Sequence, residues 1–183
     1  MITVGDERHR HDPRRMQLAA QRDNGAAVFV DYAHKPGAVI AALQSLRPHV
    51  MGRIIAIVGA GGDRDRGKRP LMGAACARFA DRCWVTDDNP RSENPAAIRA
   101  AVRAGAEQAA GPDTRVEEVG DRGAAIATAI DWARAGDVVV NCAAFTQVDL
   151  AALEAGPSAP RGITSETRVC RRRACALPLQ ARS

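Results

Sequence analysis

The sequence predicts an α/β fold: a mostly parallel sheet with helices on both faces. Two observations carry that prediction. Short apolar runs alternate with helical stretches of about 10–15 residues, the pattern of strand–helix–strand units. Within residues 53–59 and 137–141, Ile54-Ile55-Ala56-Ile57-Val58 and Val138-Val139-Val140 are continuously apolar, as strands buried on both faces are. A chain of 183 residues fits one such domain with extra material, not two full ones.

Taken in order, residues 1–12 are polar, charged and aperiodic, and read as a disordered or leader segment. A strand is predicted over residues 27–32. Pro36 and Gly37 open a helix whose apolar positions Val39, Ile40, Leu43 and Leu46 have helical spacing. Gly52 punctuates, and a strand follows over residues 53–59. After a polar loop, Pro70 starts a helix through Leu71, Ala75 and Phe79, since proline suits a first turn. A third strand covers residues 83–86. Asn94 and Pro95 start a helix running to about Ala109. Residues 115–119 form a short strand, residues 122–135 a helix, and residues 137–141 the last strand. The domain is expected over residues 13–155, and residues 156–183, without apolar period, are expected to be a disordered basic tail.

The net charge is +5. Arg161, Arg168, Arg171, Arg172, Arg173 and Arg182, set against Glu166 alone, account for all of it. The rest of the chain is neutral, so nucleic acid is not the expected partner. No apolar run approaches the roughly 18 residues of a membrane span. The polar N-terminus is not a signal peptide, and the expected location is cytoplasmic. Five cysteines (Cys76, Cys83, Cys142, Cys170, Cys175) lack metal-type spacing and read as free thiols in a reducing compartment.

Thr86-Asp87-Asp88-Asn89-Pro90-Arg91-Ser92-Glu93 follows the third strand. Pro90 fixes its own φ and pushes Asn89 towards extended backbone. Arg91 thus stands on a rigid turn at the carboxyl edge of the sheet, where open α/β folds bind ligands. Its planar fork matches a carboxylate bidentately. On the residues alone a second reading stands beside this one: an ordinary strand-to-helix loop, with Ser92 or Asn94 capping the next helix.

The loop Gly62-Asp63-Arg64-Asp65-Arg66-Gly67-Lys68-Arg69 fits G-x-x-x-x-G-K. A nucleotide loop needs Ser or Thr next, where this chain has Arg69 and then Pro70. Gly59-Ala60-Gly61 begins a dinucleotide fingerprint, but Arg64 occupies the third glycine position. The loop reads either as an anion and amino-acid surface with Arg64, Arg66, Lys68 and Arg69 available, or as a solvated charged loop.

Three segments, residues 30–36, 59–73 and 86–93, together resemble the C-terminal domain of the Mur ligases, in the UDP-N-acetylmuramoyl-tripeptide synthetase branch. The resemblance covers about residues 13–140. It implies a Rossmann-like domain that closes over ATP and supplies the pocket for the incoming amino acid. The family's chemistry is an acyl phosphate made with ATP and Mg2+, then attacked by an amine. The resemblance implies ATP contacts for Arg15, Asp31 and His34. It implies amino-acid contacts for Arg64, Asp88, Asn89, Pro90 and Arg91, the last four matching the motif associated with meso-diaminopimelate rather than lysine. Diaminopimelate carries a second carboxylate where lysine carries a proton, and a fixed arginine can pair it. The chain resembles neither the UDP-sugar-binding nor the central P-loop domain of the family, and those missing domains are its expected partners. No metal site is expected in this chain.

The likeness ends after Val140. The family's Gly-Lys-Gly-His-Glu turn is replaced by Ala143-Ala144-Phe145-Thr146-Gln147, so Gln147 stands where a glutamate would hold the substrate's ammonium. Residues 140–149 are similar instead to a segment of the dTDP-4-dehydrorhamnose reductases, as a spliced, recombined or decayed reading frame would leave. Three readings therefore stand. The first is a detached ligase domain, inactive alone. The second is a non-catalytic remnant or binding module. The third is a sugar-nucleotide reductase fragment, against which counts the absence of a Tyr-x-x-x-Lys pair: Tyr32, the only tyrosine, is followed four residues later by Pro36.

Overall fold

The computed structural model of the protein describes residues 16–142. Along the chain these form β1 (Gln17–Gln21), β2 (Ala27–Asp31), α1 (Pro36–Leu46) with a 3-10 turn at Arg47–His49, β3 (Ile54–Val58), α2 (Lys68–Phe79), β4 (Arg82–Val85), α3 (Pro95–Ala109), β5 (Arg115–Glu118), α4 (Arg122–Trp132) and β6 (Val138–Cys142). They build one six-stranded sheet in the order β1-β2-β6-β3-β4-β5. The β1–β2 pair is antiparallel and every other pair is parallel.

Side-chain alternation along the strands splits the core in two. Ile54, Ala56 and Val58 of β3, with Cys83 and Val85 of β4 and Val140 of β6, pack with Leu43, Met72 and Val102 from α1, α2 and α3. Ile55, Ile57, Trp84 and Val139 point the other way, onto Ile126 and Ile130 of α4. Both faces of the central strands are covered, which is why their sequences carry apolar residues without interruption. A fully buried isoleucine or leucine contributes roughly 1.5–3 kcal/mol, and Leu43, Ile54, Ile55 and Ile57 are all fully buried.

Helices α2 and α3 approach unusually closely. A Cβ at Gly73 would lie 1.9 Å from the Val102 carbonyl oxygen, and one at Gly105 would lie 2.0 Å from that of Pro70. Only glycine permits this crossing, which carries the loops before α2 and α3 to neighbouring positions at the sheet's carboxyl edge.

Most element boundaries fall within two or three residues of the sequence expectation. Two differences have physical causes. Helix α2 begins at Lys68 rather than Pro70, because the Asp65 carboxylate accepts from Gly67 N (2.9 Å) and tightens the turn before it. Pro70 still lies in the first turn, where its missing N–H costs nothing. Strand β1 was not expected. Its sequence, Gln-Leu-Ala-Ala-Gln, is only partly buried and lies at the edge of the sheet. The signal that marks it is Asn24-Gly25 in the following turn, with Gly25 at φ +86°.

Candidate functional site

The carboxyl ends of β2, β3, β4 and β6 open into one cavity of about 510 Å³. Its wall includes His34 from the loop after β2, Arg64 and Lys68 from the loop and helix after β3, and Asp88, Asn89 and Arg91 from the loop after β4. Cys142, at the end of β6, lies at its base. Burial first, then the neighbouring Asp31 charge, pushes the Cys142 thiol up, so it is not a thiolate nucleophile here.

The loops after β3 and β4 are tied together strand to strand. Gly62 N donates to Asn89 O (2.7 Å). Asp63 N donates to Glu93 Oε1 (2.7 Å). Ser92 Oγ and Ser92 N donate to the two carboxylate oxygens of Asp63 at 2.7 and 3.3 Å. Arg91 Nη1 donates to Gly62 O (3.0 Å). No side chain fits at position 62, because a Cβ there would stand 1.8 Å from the Pro90 carbonyl oxygen. Asp63 and Arg91 face each other across this seam, both in left-handed backbone, at φ +49° and +50°. Such conformations persist only where the surroundings over-determine them.

Below the seam, Arg69 makes a two-pronged pair with Glu93, Nη2 to Oε1 at 2.6 Å and Nη1 to Oε2 at 3.1 Å. Arg66 adds a further contact to Glu93 Oε2 at 3.2 Å. The Arg69 bonds, the Asp63 N–H and the Arg66 charge together hold the Glu93 carboxyl down at about 2. Hydrogen bonds from Ser92 hold the Asp63 carboxyl below its usual range.

The remaining charges divide into spent and unspent. Asp87 pairs with Arg99, which also binds Glu118 at 2.8 Å. Asp88 Oδ1 lies 3.4 Å from Arg122 Nη1, and Arg122 Nη2 donates to Asn141 Oδ1 (3.2 Å). Lys68 Nζ donates to the His34 carbonyl (2.9 Å), joining the loop after β2 to α2. The side chains of Arg64 and Lys35 make no hydrogen bond or ion pair among the described residues, and both residues line the cavity. The cavity therefore offers surplus positive charge to an anionic ligand.

Of the residues singled out from sequence, the structure brings Arg64, Asp88, Asn89, Arg91 and His34 to the cavity wall. Pro90 turns its carbonyl against Gly62. Asp31 is buried at the end of β2, where Oδ2 accepts from Met16 N (3.1 Å), and it does not line the cavity. Arg15 and Gln147 lie outside the described residues, as does the predicted tail over 156–183. One reading is corrected. Arg69 is not available on the loop surface; it is 4% exposed and committed to Glu93. Asp63, Ser92 and Glu93 were missed as a group, because their pairing spans some 30 residues and local pattern cannot show it.

Five of the eight N–H groups in the loop from Gly62 to Arg69 are taken up within the protein, which counts against a phosphate cradle. The N–H groups of Gly62, Asp63, Gly67, Lys68 and Arg69 all donate to acceptors within the protein. A phosphate-binding loop needs such groups free and convergent.

The cationic cavity of this open, mostly parallel sheet lies at the carboxyl ends of its strands, where α/β folds place their ligands. The sequence matches the family described as Mur ligase, glutamate ligase domain, over residues 14–145, and the chain belongs to that family. The UDP-N-acetylmuramoyl-L-alanyl-D-glutamate--2,6-diaminopimelate ligase of Caulobacter vibrioides is 52% identical over 126 residues, covering 69% of this chain and 24% of that ligase. The enzyme of the same name from Bradyrhizobium diazoefficiens shows the same identity and coverage. A solved structure of a protein of that name superposes with a TM-score of 0.60 at 42% identity, over 70% of this chain and 25% of that one. The chain thus spans about a quarter of the length of the relatives it matches.

Proposed function

We propose that this chain supplies the amino-acid-binding domain of an ATP-dependent ligase that adds meso-diaminopimelate to UDP-N-acetylmuramoyl-L-alanyl-D-glutamate in cytoplasmic peptidoglycan synthesis. The observation that carries the reading is Arg91, held on a fixed turn beside Arg64 at the wall of a cavity with excess positive charge. Nη1 of Arg91 is taken by Gly62 O, and the guanidinium keeps further N–H donors for a carboxylate. Asn89 and Asp88 lie on the same rim. Domain bounds of 13–155 are part of the same reading.

ATP and Mg2+ belong to the chemistry of the family, but residues 16–142 are a poor fit to them. The amides of Gly62, Asp63, Gly67, Lys68 and Arg69 are already engaged, and no group of three or more His, Cys, Asp or Glu among the described residues is arranged to hold a metal ion. Asp31 Oδ2 accepts from Met16 N, which anchors the entry to β1. His34 and Lys35 remain exposed at the rim for a nucleotide approaching from another domain. Phosphoryl activation is therefore assigned to the remainder of the ligase, and these 183 residues are expected to be inactive by themselves. With ATP, Mg2+ and UDP-N-acetylmuramoyl-dipeptide they should release no phosphate above buffer.

The binding reading is tested by calorimetric titration of meso-diaminopimelate and lysine. A charge-assisted bidentate contact is worth roughly 1.5–3 kcal/mol, or about ten- to a hundredfold in affinity. Diaminopimelate should be preferred by about that factor. Arg91→Lys should lose part of the preference and Arg91→Ala all of it. Equal affinity for the two amino acids in the wild-type chain would reject the reading.

A further inference from the structure

We propose that Glu93 and Asp63 are positioning residues, which set amino-acid selection by holding Arg91 in place without touching the ligand. This rests on the reading of the cavity given above. Glu93 is saturated. Its two oxygens accept from Asp63 N, from Arg69 Nη1 and Nη2, and face Arg66 Nη2, four donors at 2.6–3.2 Å. A carboxylate has about four acceptor positions, so none is left for a substrate ammonium. Asp63 is likewise occupied by Ser92. Neither acid lines the cavity.

What they hold is a chain of contacts that ends on Arg91. Glu93 fixes the Asp63 amide. That amide and the Gly62–Asn89 bond fix the peptide between them, whose carbonyl, Gly62 O, accepts from Arg91 Nη1. Asp63 in turn fixes Ser92, the residue after Arg91. Two residues in left-handed backbone, Asp63 and Arg91, sit at either end of this link. An isolated loop would relax both, and the cross-links prevent it. A guanidinium held before ligand arrives loses less freedom on binding, and it meets a carboxylate in one geometry only. Selection of a second carboxylate over its absence then depends on the seam, not on Arg91 alone.

The test uses the full chain with Glu93→Gln and Ser92→Ala, and Asp121→Ala as a control. Asp121 caps α4 on a different loop, accepting from Ala124 N at 2.7 Å. Two readouts are taken where each variant is folded. In hydrogen exchange without ligand, Glu93→Gln should expose the amides of Gly62 and Asp63 while those of β3 keep their protection. In titration, the ratio of meso-diaminopimelate to lysine affinity should fall about fivefold or more in Glu93→Gln, less in Ser92→Ala, and stay unchanged in Asp121→Ala. Unchanged exchange at residues 62–63 overturns the proposal whatever the ligand does. Altered exchange with an intact affinity ratio reduces Glu93 to a structural role and also overturns it. If Glu93→Gln does not fold, an unchanged ratio in Ser92→Ala overturns it. A wild-type chain that binds neither amino acid, or both equally, rejects the reading of the cavity itself and the selection role with it.

Discussion

The two ends of the sheet use the same chemistry to different ends. At the amino end, Asp137 accepts from Arg53 N (2.8 Å) and Arg134 N (2.9 Å) and pairs with the Arg53 guanidinium. Asp81 accepts from Ile54 N (2.7 Å) and pairs with Arg47. Arg53, just before β3, and Arg82, at the start of β4, each stack 3.8 Å from the centre of the Trp132 ring. Here carboxylates pin the starts of strands, and the arginines that they hold are committed within the protein. At the carboxyl end, Asp63 and Glu93 also bind backbone N–H groups, but what they join is two loops. The network ends on Arg91, which spends one nitrogen, and beside Arg64, which spends none. Closed charge makes scaffold; charge left over and lining a concave wall is what the proposed binding site rests on.

The largest expected effect tests the closed end. Asp137 is 3% exposed, and Arg53 together with two N–H groups holds its carboxyl below the usual range, although burial opposes this. Removing one partner of a buried pair costs about 3–5 kcal/mol. Arg53 is a third exposed, so about 2–4 kcal/mol is expected for Asp137→Ala in urea unfolding of the full chain. Amino-acid preference should not change. A loss of preference as large as that of Arg91→Ala would mean that the two ends are one unit.

The next tests the seam by sterics alone. Gly62→Ala adds one carbon where Pro90 O already stands, so the two loops must part. Overpacking of this kind costs about 1–3 kcal/mol. Both stability and diaminopimelate preference should fall. Stability lost with preference kept would show that Arg91 does not need its neighbouring loop.

How much of this was readable beforehand follows the reach of each interaction. The continuous apolar runs of β3 and β6 announce strands covered on both faces, and the two packed cores bear that out. The α3 cap was also legible: Asn94 Oδ1 accepts from Ala96 N, two residues on. Among Arg64, Arg66, Lys68 and Arg69, by contrast, nothing local says which one turns inward. That is decided by where α2 starts and by Glu93, on a loop 24 residues further on. Strand β1 escaped because an edge strand half in water needs no apolar alternation.

Acid sharpens the comparison further. The Glu93 carboxyl sits at about 2 in the folded chain against an ordinary 4.5. A depressed folded value stabilises the protein above the unfolded value, and that stability is lost as pH falls from about 4.5 through about 2. Asp63 and Asp137 are shifted in the same direction. Stability should therefore decline steadily below pH 4.5, and Glu93→Gln should flatten part of that decline. A variant whose pH profile has the wild-type slope would show that the seam carboxylate is not proton-linked to folding.

The smallest effect separates a cap from the seam beside it. Asn94 follows Glu93 directly, but its side chain serves only α3, accepting from Ala96 N at 2.9 Å. Asn94→Ala leaves Glu93, Asp63 and Arg91 with all their partners and removes one cap, which is worth about 1 kcal/mol. Urea unfolding should show stability lowered by that amount through a lower midpoint at an unchanged slope, as expected when stability changes and exposed surface does not. The diaminopimelate preference should stay at the wild-type value, because no contact that leads to Arg91 passes through the Asn94 side chain. A cost near that of Gly62→Ala, accompanied by lost preference, would mean that the start of α3 and the loop seam order together. The cavity's shape would then depend on the α2–α3 crossing at Gly73 and Gly105 as much as on the cross-links between its two loops.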